Sequence, residues 1–184
     1  MNDALYYIMD VLLSLAALLF LMRFLLQAVR ADFYNPISQS IVKITDPVLK
    51  PLRVVMPSYQ NLDFAAFVAA MLAKCLFIYG AASMSGSSYG TIIQLIGTGL
   101  LQTLLLVLRI FYWSILIGII ASFIAPQNDH PLLLLIYQIT EPLLAPARKL
   151  LPAMGGLDFS PIIVFLILGV IERILPNLFS AWLF

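Results

Sequence analysis

The sequence predicts an all-α integral membrane protein made of two tandem parallel repeats, with about four transmembrane helices and proline-bent amphipathic cytoplasmic loops. Three observations predict it. Of 184 residues, 62% are hydrophobic and only 10% charged, against roughly 45–50% apolar and about 25% charged in soluble domains. The apolar residues gather in runs of about 20, the length that crosses a bilayer. One stretch is also written twice. Ile44-Thr45-Asp46-Pro47-Val48-Leu49-Lys50-Pro51-Leu52-Arg53, followed by Pro57 and Leu62-Asp63-Phe64, returns as Ile139-Thr140-Glu141-Pro142-Leu143-Leu144-Ala145-Pro146-Ala147-Arg148, followed by Pro152 and Leu157-Asp158-Phe159, at a constant offset of 95 residues. From Pro36/Pro131 to Phe64/Phe159, 12 of 29 aligned positions are identical, which marks a duplication. The repeats are expected at residues 1–90 and 91–184.

Composition also excludes function classes. The chain has room for four or five spans and short loops, but not for a separate soluble domain. A net charge of +1 leaves no basic surface for nucleic acid. The lone Cys75 cannot form an internal disulfide, and it makes no metal-ligand spacing with the single His130. No glycine-rich phosphate loop, nucleophile elbow or zinc spacing is present. No catalytic residue, metal or cofactor is therefore expected. Met1-Asn2-Asp3 lacks a basic lead, so the first apolar run reads as a retained span rather than a signal peptide.

Span one is drawn from Leu5 to Gln27, with Asp10 inside it and Arg23 near its far end, where a long side chain can snorkel. The loop from Pro36 to Val55 is too polar to cross. Ile37, Ile41 and Ile44 have the spacing of a short amphipathic helix. The Asp46-Pro47 step and Pro51 are expected to break it into a bent cap on the membrane surface. Asp63 precedes span two (64–83) and can cap its free amides. Asp158 can do the same for span four (161–183), with Ser160-Pro161 a rival start. Ala65, Ala69 and Ala73 in span two, and Ser114, Gly118 and Ser122 in span three, are small residues four apart that allow close helix packing in lipid. The segment Met84 to Gly90 reads as a flexible joint. Span three (91–125) exceeds one crossing, which suggests a surface-lying or strongly tilted start near Gly97 and Gly99. Tyr6, Tyr7, Tyr89, Tyr112, Trp113 and Trp182 include candidate interfacial anchors.

Orientation follows from loop charge. Arg30, Lys43, Lys50 and Arg53 follow span one, Arg148 and Lys149 follow span three, and the joint between repeats carries no charge. Positive loops stay inside, so both caps are expected in the cytoplasm and both chain ends outside.

Two residue groups are candidate sites. Asp10, Lys74, Arg109 and Glu172 lie within spans, where charge is costly. Shifting Asp10 and Lys74 by the repeat offset gives positions 105 and 169, one helical turn from Arg109 and Glu172. Asp10 is expected to pair with Lys74, and Arg109 with Glu172. Such pairs can fix helix packing, form an ion or proton relay, or snorkel outward. The second group is the repeated loop motif: Thr45, Asp46, Pro47, Pro51, Arg53 and Asp63, with Thr140, Glu141, Pro142, Pro146, Arg148 and Asp158. Arg53 and Arg148 stand beside carboxylates, so they can clamp the loop, bind a partner protein or hold lipid phosphate. Both arginines are expected to serve an external contact, with stability near normal when either is removed.

The paired Thr-acid-Pro-x-Leu-x-Pro-x-Arg motif, each copy followed by Pro and Leu-Asp-Phe, resembles the YggT family of small bacterial membrane proteins over nearly the whole chain. The resemblance implies a multi-pass protein of the bacterial inner membrane with no assigned enzymatic activity. Bacterial relatives are associated with osmotic-stress tolerance, ion homeostasis and cell-division neighbourhoods, and similar plastid proteins with haem attachment during cytochrome b6 assembly. The first expectation is a non-catalytic accessory or scaffold protein, supporting stress tolerance or assembly of a membrane complex through a membrane protein partner or a homo-oligomer. The alternative is an ion transport component, or channel-like oligomer, using the intramembrane charges.

Overall fold

The computed structural model describes residues 2–56, 58–86, 90–124, 129–150 and 158–183. Pro57, Pro152 and Leu157 of the motif, Ser87–Tyr89 of the joint, and the side chain of Trp182 lie outside the described residues. Six helices follow in order: α1 (Asn2–Ala28), α2 (Pro36–Val55), α3 (Phe64–Met84), α4 (Ile92–Ile124), α5 (Pro131–Leu150) and α6 (Ser160–Leu183). Four of them, α1, α3, α4 and α6, are long and apolar enough to cross a membrane. Each half is thus a span, a cap helix and a second span, which is the expected two-part all-α architecture.

The first half packs tightly because α3 is lined with alanine. Ala66, Ala69, Ala70 and Ala73 are buried against Ala17, Phe20, Leu21 and Leu25 of α1 and Ile110 of α4. Small side chains let the backbones approach closely where hydrophobic driving force is absent. In the second half, Val164 and Leu168 of α6 pack with Ile115, Leu144 and Ala147. These larger residues stand at the repeat positions of Ala69 and Ala73, and the contact between α4 and α6 is sparser than that between α1 and α3. A third cluster, Leu26, Ala31, Ile41, Leu135 and Ile139, joins the halves at the cap end. Asn35 Nδ2 also donates to the Pro131 carbonyl at 2.8 Å, and the Asp32 amide to Gln138 Oε1 at 3.0 Å. Both caps therefore lie at one end of the bundle, opposite the start of α1 and the finish of α6.

Three expectations about local structure are corrected. Neither cap is broken at its prolines: α2 runs through Pro47 and Pro51, and α5 through Pro142 and Pro146. In α2 the prolines fall four apart on an exposed face with Lys43. The two carbonyls that lose their partners thus point outward, where water can serve them. The buried stripe of α2 is Ser38, Ile41, Thr45 and Leu49, so Ile44 lies on the outer face. Finally, α4 is one unbroken helix through Gly97 and Gly99, which excludes a surface-lying start and leaves tilt or overhang to absorb its length. Gly99 is a close-approach position: a Cβ there would collide with the Cys75 sulfur of α3.

Candidate functional site

The first cap closes on a buried carboxylate. Asp63 is 0% exposed. It caps α3 by accepting from the Ala66 amide at 3.3 Å, as its place before the span predicts. Two residues in a β-bridge, Tyr59 and Leu62, close the short turn that delivers it. Arg53, in the last turn of α2, pairs with its other oxygen. Arg53 Nη1 also lies 3.9 Å from Asp46 Oδ1, and Lys50 Nζ 3.5 Å from Asp46 Oδ2. The expected snorkelling of Arg23 does not occur. Its guanidinium is buried beneath α2, with Nη2 at 3.6 Å from Asp46 Oδ1, while its Nε and Nη1 have no hydrogen-bond partner. Facing a carboxylate below the cap is evidently preferable to reaching past it.

The second cap repeats the chemistry in the open. Arg148 Nε donates to Asp158 Oδ2 at 3.0 Å, and Nη1 donates to Glu141 Oε1 and Oε2 at 2.8 and 2.9 Å. The Arg148 side chain is 42% exposed. Its hydrogen bonds to Glu141 and then to Asp158 hold its pKa above the ordinary arginine value. Burial pushes the Asp158 carboxyl up, but its bonds with Ser160 and Arg148 outweigh this and hold it below the usual carboxylate range. Asp158 accepts from the Ser160 amide at 2.8 Å, whereas Ser160 is already the first residue of α6 and its buried hydroxyl has no hydrogen-bond partner, so of the two expected starts for span four it is Asp158 that caps the helix.

The halves differ beneath the caps. The repeat position of Arg23 is Gly118. Where Arg23 fills the space under α2, the second half has a cavity of about 410 Å³ lined by Gly118, Ser122, Tyr137, Thr140, Arg148 and Asp158 among others. Thr45 and Thr140 occupy equal places in the two caps. Each is buried and donates to a carbonyl one turn back, at 2.7 Å to Ile41 and 2.9 Å to Ile136. Such back-bonding satisfies a hydroxyl that would otherwise be buried without a partner.

The membrane charges meet in a way that sequence reasoning caught only in part. Arg109 Nε lies 3.7 Å from Glu172 Oε1, as expected. Asp10 and Lys74 do not touch. Lys74 Nζ donates to Ser14 Oγ at 3.0 Å, and Ser14 donates to Asp10 Oδ1 at 3.0 Å. Ser14, one turn from Asp10, was the missed member, and its spacing of four from Asp10 on a helix was the available signal. Asp10, Ser14, Lys74, Gln102 and Arg109 line a cavity of about 480 Å³. Arg109 also lines a second one, of about 370 Å³, with Glu172, so the four charges form a polar row across α1, α3, α4 and α6. At the other missed positions, Asn35 and His130 precede the prolines that open α2 and α5. Asn35 Oδ1 accepts from the Ile37 amide at 2.9 Å and His130 Nδ1 from the Leu132 amide at 3.2 Å. His130 thus serves as a helix cap. Among the described residues, no group of three or more metal-ligating side chains forms.

Comparison with known proteins fits this duplicated plan. A protein-family profile described as CCB3/YggT matches residues 2–80 and again 97–179. An uncharacterized protein of Pseudomonas aeruginosa PAO1 is 42% identical over 98% of this chain and 92% of its own length. The uncharacterized protein YggT of Escherichia coli K12 is 36% identical over 97% of this chain and 93% of its own. An uncharacterized Vibrio alginolyticus protein encoded in the region 3′ of proC is 36% identical over 89% of each chain. No solved structure matches the chain.

Proposed function

The chain belongs to the CCB3/YggT family, and on that premise we propose that it is a non-catalytic accessory protein of the bacterial inner membrane, whose second cap docks a partner membrane protein. The supporting observation is the inequality of the two clamps. Arg53 is committed to a carboxylate with no exposure, whereas Arg148 and its two acids stand open beside an unfilled cavity. That cavity combines apolar walls with a few polar groups, which suits one apolar side chain of a partner and a hydrogen bond at its edge. The basic residues at the cap end, Arg30, Lys43, Lys50, Arg53, Arg148 and Lys149, support a cytoplasmic position for this end on the positive-inside rule. A role in osmotic-stress tolerance or ion homeostasis would then follow from the assembly that is docked. Cysteine labelling of intact cells in a Cys75→Ala background checks the orientation: an impermeant reagent should modify a cysteine at Ser87 and leave one at Ser40, on the exposed face of α2, untouched.

A photo-crosslinking residue at Tyr137 tests docking. It should capture a specific membrane protein from native membranes, and capture should be lost when Gly118→Met fills the cavity while protein level is unchanged. Unaltered capture in that variant would remove the reading. The polar row from Asp10 to Glu172 favours a second one, ion conduction along facing helices. Purified protein in liposomes distinguishes them, because flux without any partner supports conduction and its absence supports docking.

A further inference from the structure

Arg109 and Glu172 stand near the middle of α4 and α6, at the mouth of the 370 Å³ groove between those helices. Their side chains are 64% and 48% exposed, so in a single copy much of this ion pair is uncovered at the middle of the two spans. Intramembrane charges otherwise face a bundle interior, a wet cavity or one another. We propose that the α4–α6 groove is a homodimer interface, in which a second copy of this chain covers the pair and Arg109 of each copy also meets Glu172 of the second copy.

The charge pattern selects a second copy as occupant. The face carries one base and one acid at the same depth, since they are 3.7 Å apart. A two-fold axis along the membrane normal preserves depth and makes an interface self-complementary. It therefore sets each Arg109 opposite Glu172 of the second copy without any further charged group. The internal pair leaves capacity for this, because at 3.7 Å it makes no hydrogen bond and the guanidinium donors and carboxylate acceptors stay available. The groove floor points the same way. Gly169 occupies the repeat position of Lys74, and a Cβ built on it meets nothing within 4 Å. Nothing within the chain requires glycine there, while a helix arriving from outside could approach closely over it. Tyr112 and Trp113 form the groove's flank on α4.

Single-molecule photobleaching of labelled protein in liposomes, over a series of protein-to-lipid ratios, tests the proposal. Wild type should pass from one-step to two-step bleaching as protein density rises. Gly169→Leu fits the isolated chain, so its unfolding midpoint should stay unchanged while its association constant falls about tenfold or more. Arg109→Glu and Glu172→Arg should each fail to self-associate, yet a mixture of the two should form heterodimers within about threefold of wild-type affinity, because each then supplies what the other lacks. One-step bleaching of wild type at every density would overturn the proposal, as would wild-type association by Gly169→Leu or a mixture that fails to recover. If the charge variants do not fold, the Gly169 arm decides alone. Association of wild type in native membranes but never in pure lipid would assign the groove to a foreign helix instead, which also overturns it.

Discussion

Arg53 and Arg148 hold the same place in the two repeats, and each reaches a carboxylate that caps or adjoins the next span. What surrounds them differs. Beneath the first cap Arg23 fills the space and Ala69 and Ala73 draw the spans together. Beneath the second, Gly118 leaves a cavity, and the larger Val164 and Leu168 stand where α6 meets α4 more sparsely. The mid-membrane charges diverge in parallel, since Ser14 and Lys74 of the first half stand where Arg109 and Gly169 stand in the second. Beneath the caps, one half has been closed and the other left with an open groove. A repeated motif therefore fixes local chemistry, while the residues behind it decide whether that chemistry is structural or available.

The largest expected effect breaks the comparison at the arginines. Arg53→Ala leaves Asp63 buried and unpaired, which should cost about 3–5 kcal/mol. Arg148→Ala leaves Glu141 and Asp158 exposed to water, so the cost should be about 0–1 kcal/mol. Denaturant unfolding in mixed micelles measures both. Adding Asp63→Asn to Arg53→Ala should recover a large part of the loss, because the orphaned charge is removed. Equal losses at the two arginines would mean that the caps are energetically alike, and the argument for docking at the second would fall. Of the expectation that both arginines serve an outside contact, the proposal keeps Arg148, because Arg53 is engaged with the buried Asp63.

Exchanging the filler residues sharpens the same contrast. Arg23→Gly should cost roughly 3 kcal/mol or more by opening a cavity under α2. Arg23→Met should stay within about 1 kcal/mol, since it removes buried nitrogens that have no partner and Asp46 keeps Lys50 and Arg53. In the second half, a Cβ at Gly118 meets Ile136 and Tyr137 at 3.6 and 3.7 Å, ordinary contact distances. Gly118→Met should therefore enter the cavity and stabilise by about 0.5–2 kcal/mol. Destabilisation by that variant would show the space to be occupied already.

Much of this was legible in the sequence. The four spans, the repeat, Asp63 as a cap and the Arg109–Glu172 pair follow from hydropathy, offset and helical spacing. Proline's missing amide argued for broken caps, but the argument needs the face on which each proline falls, and only tertiary packing sets that. Arg23 differs from expectation for a related reason: its length permits snorkelling, and nothing local says that Asp46 waits beneath the cap. Ser14 is inconspicuous because a serine in an apolar run reads as filler. Ser14→Ala, expected to cost about 1–2 kcal/mol by separating Lys74 from Asp10, would be the check. A loss near zero would mean that the two charges find each other directly.

The smallest effect expected is on pH dependence, and it separates the clamps by exposure. Asp158 has a folded pKa below the usual carboxylate range, so its contribution to stability is fully present above the unfolded value of about 3.9 and is lost as pH falls through the folded one. Arg148 is shifted upward, so its contribution is present below the ordinary arginine value and lost only beyond it, outside any working range. The difference in unfolding midpoint between wild type and Asp158→Asn should therefore stay constant from about pH 8 to pH 5 and shrink only below about pH 4. Its size should be a few tenths of a kcal/mol at most, because water screens an exposed pair. A difference that vanished between about pH 7 and pH 5 would place the Asp158 titration above the range that Ser160 and Arg148 impose, and the second clamp would then be looser than its hydrogen bonds imply.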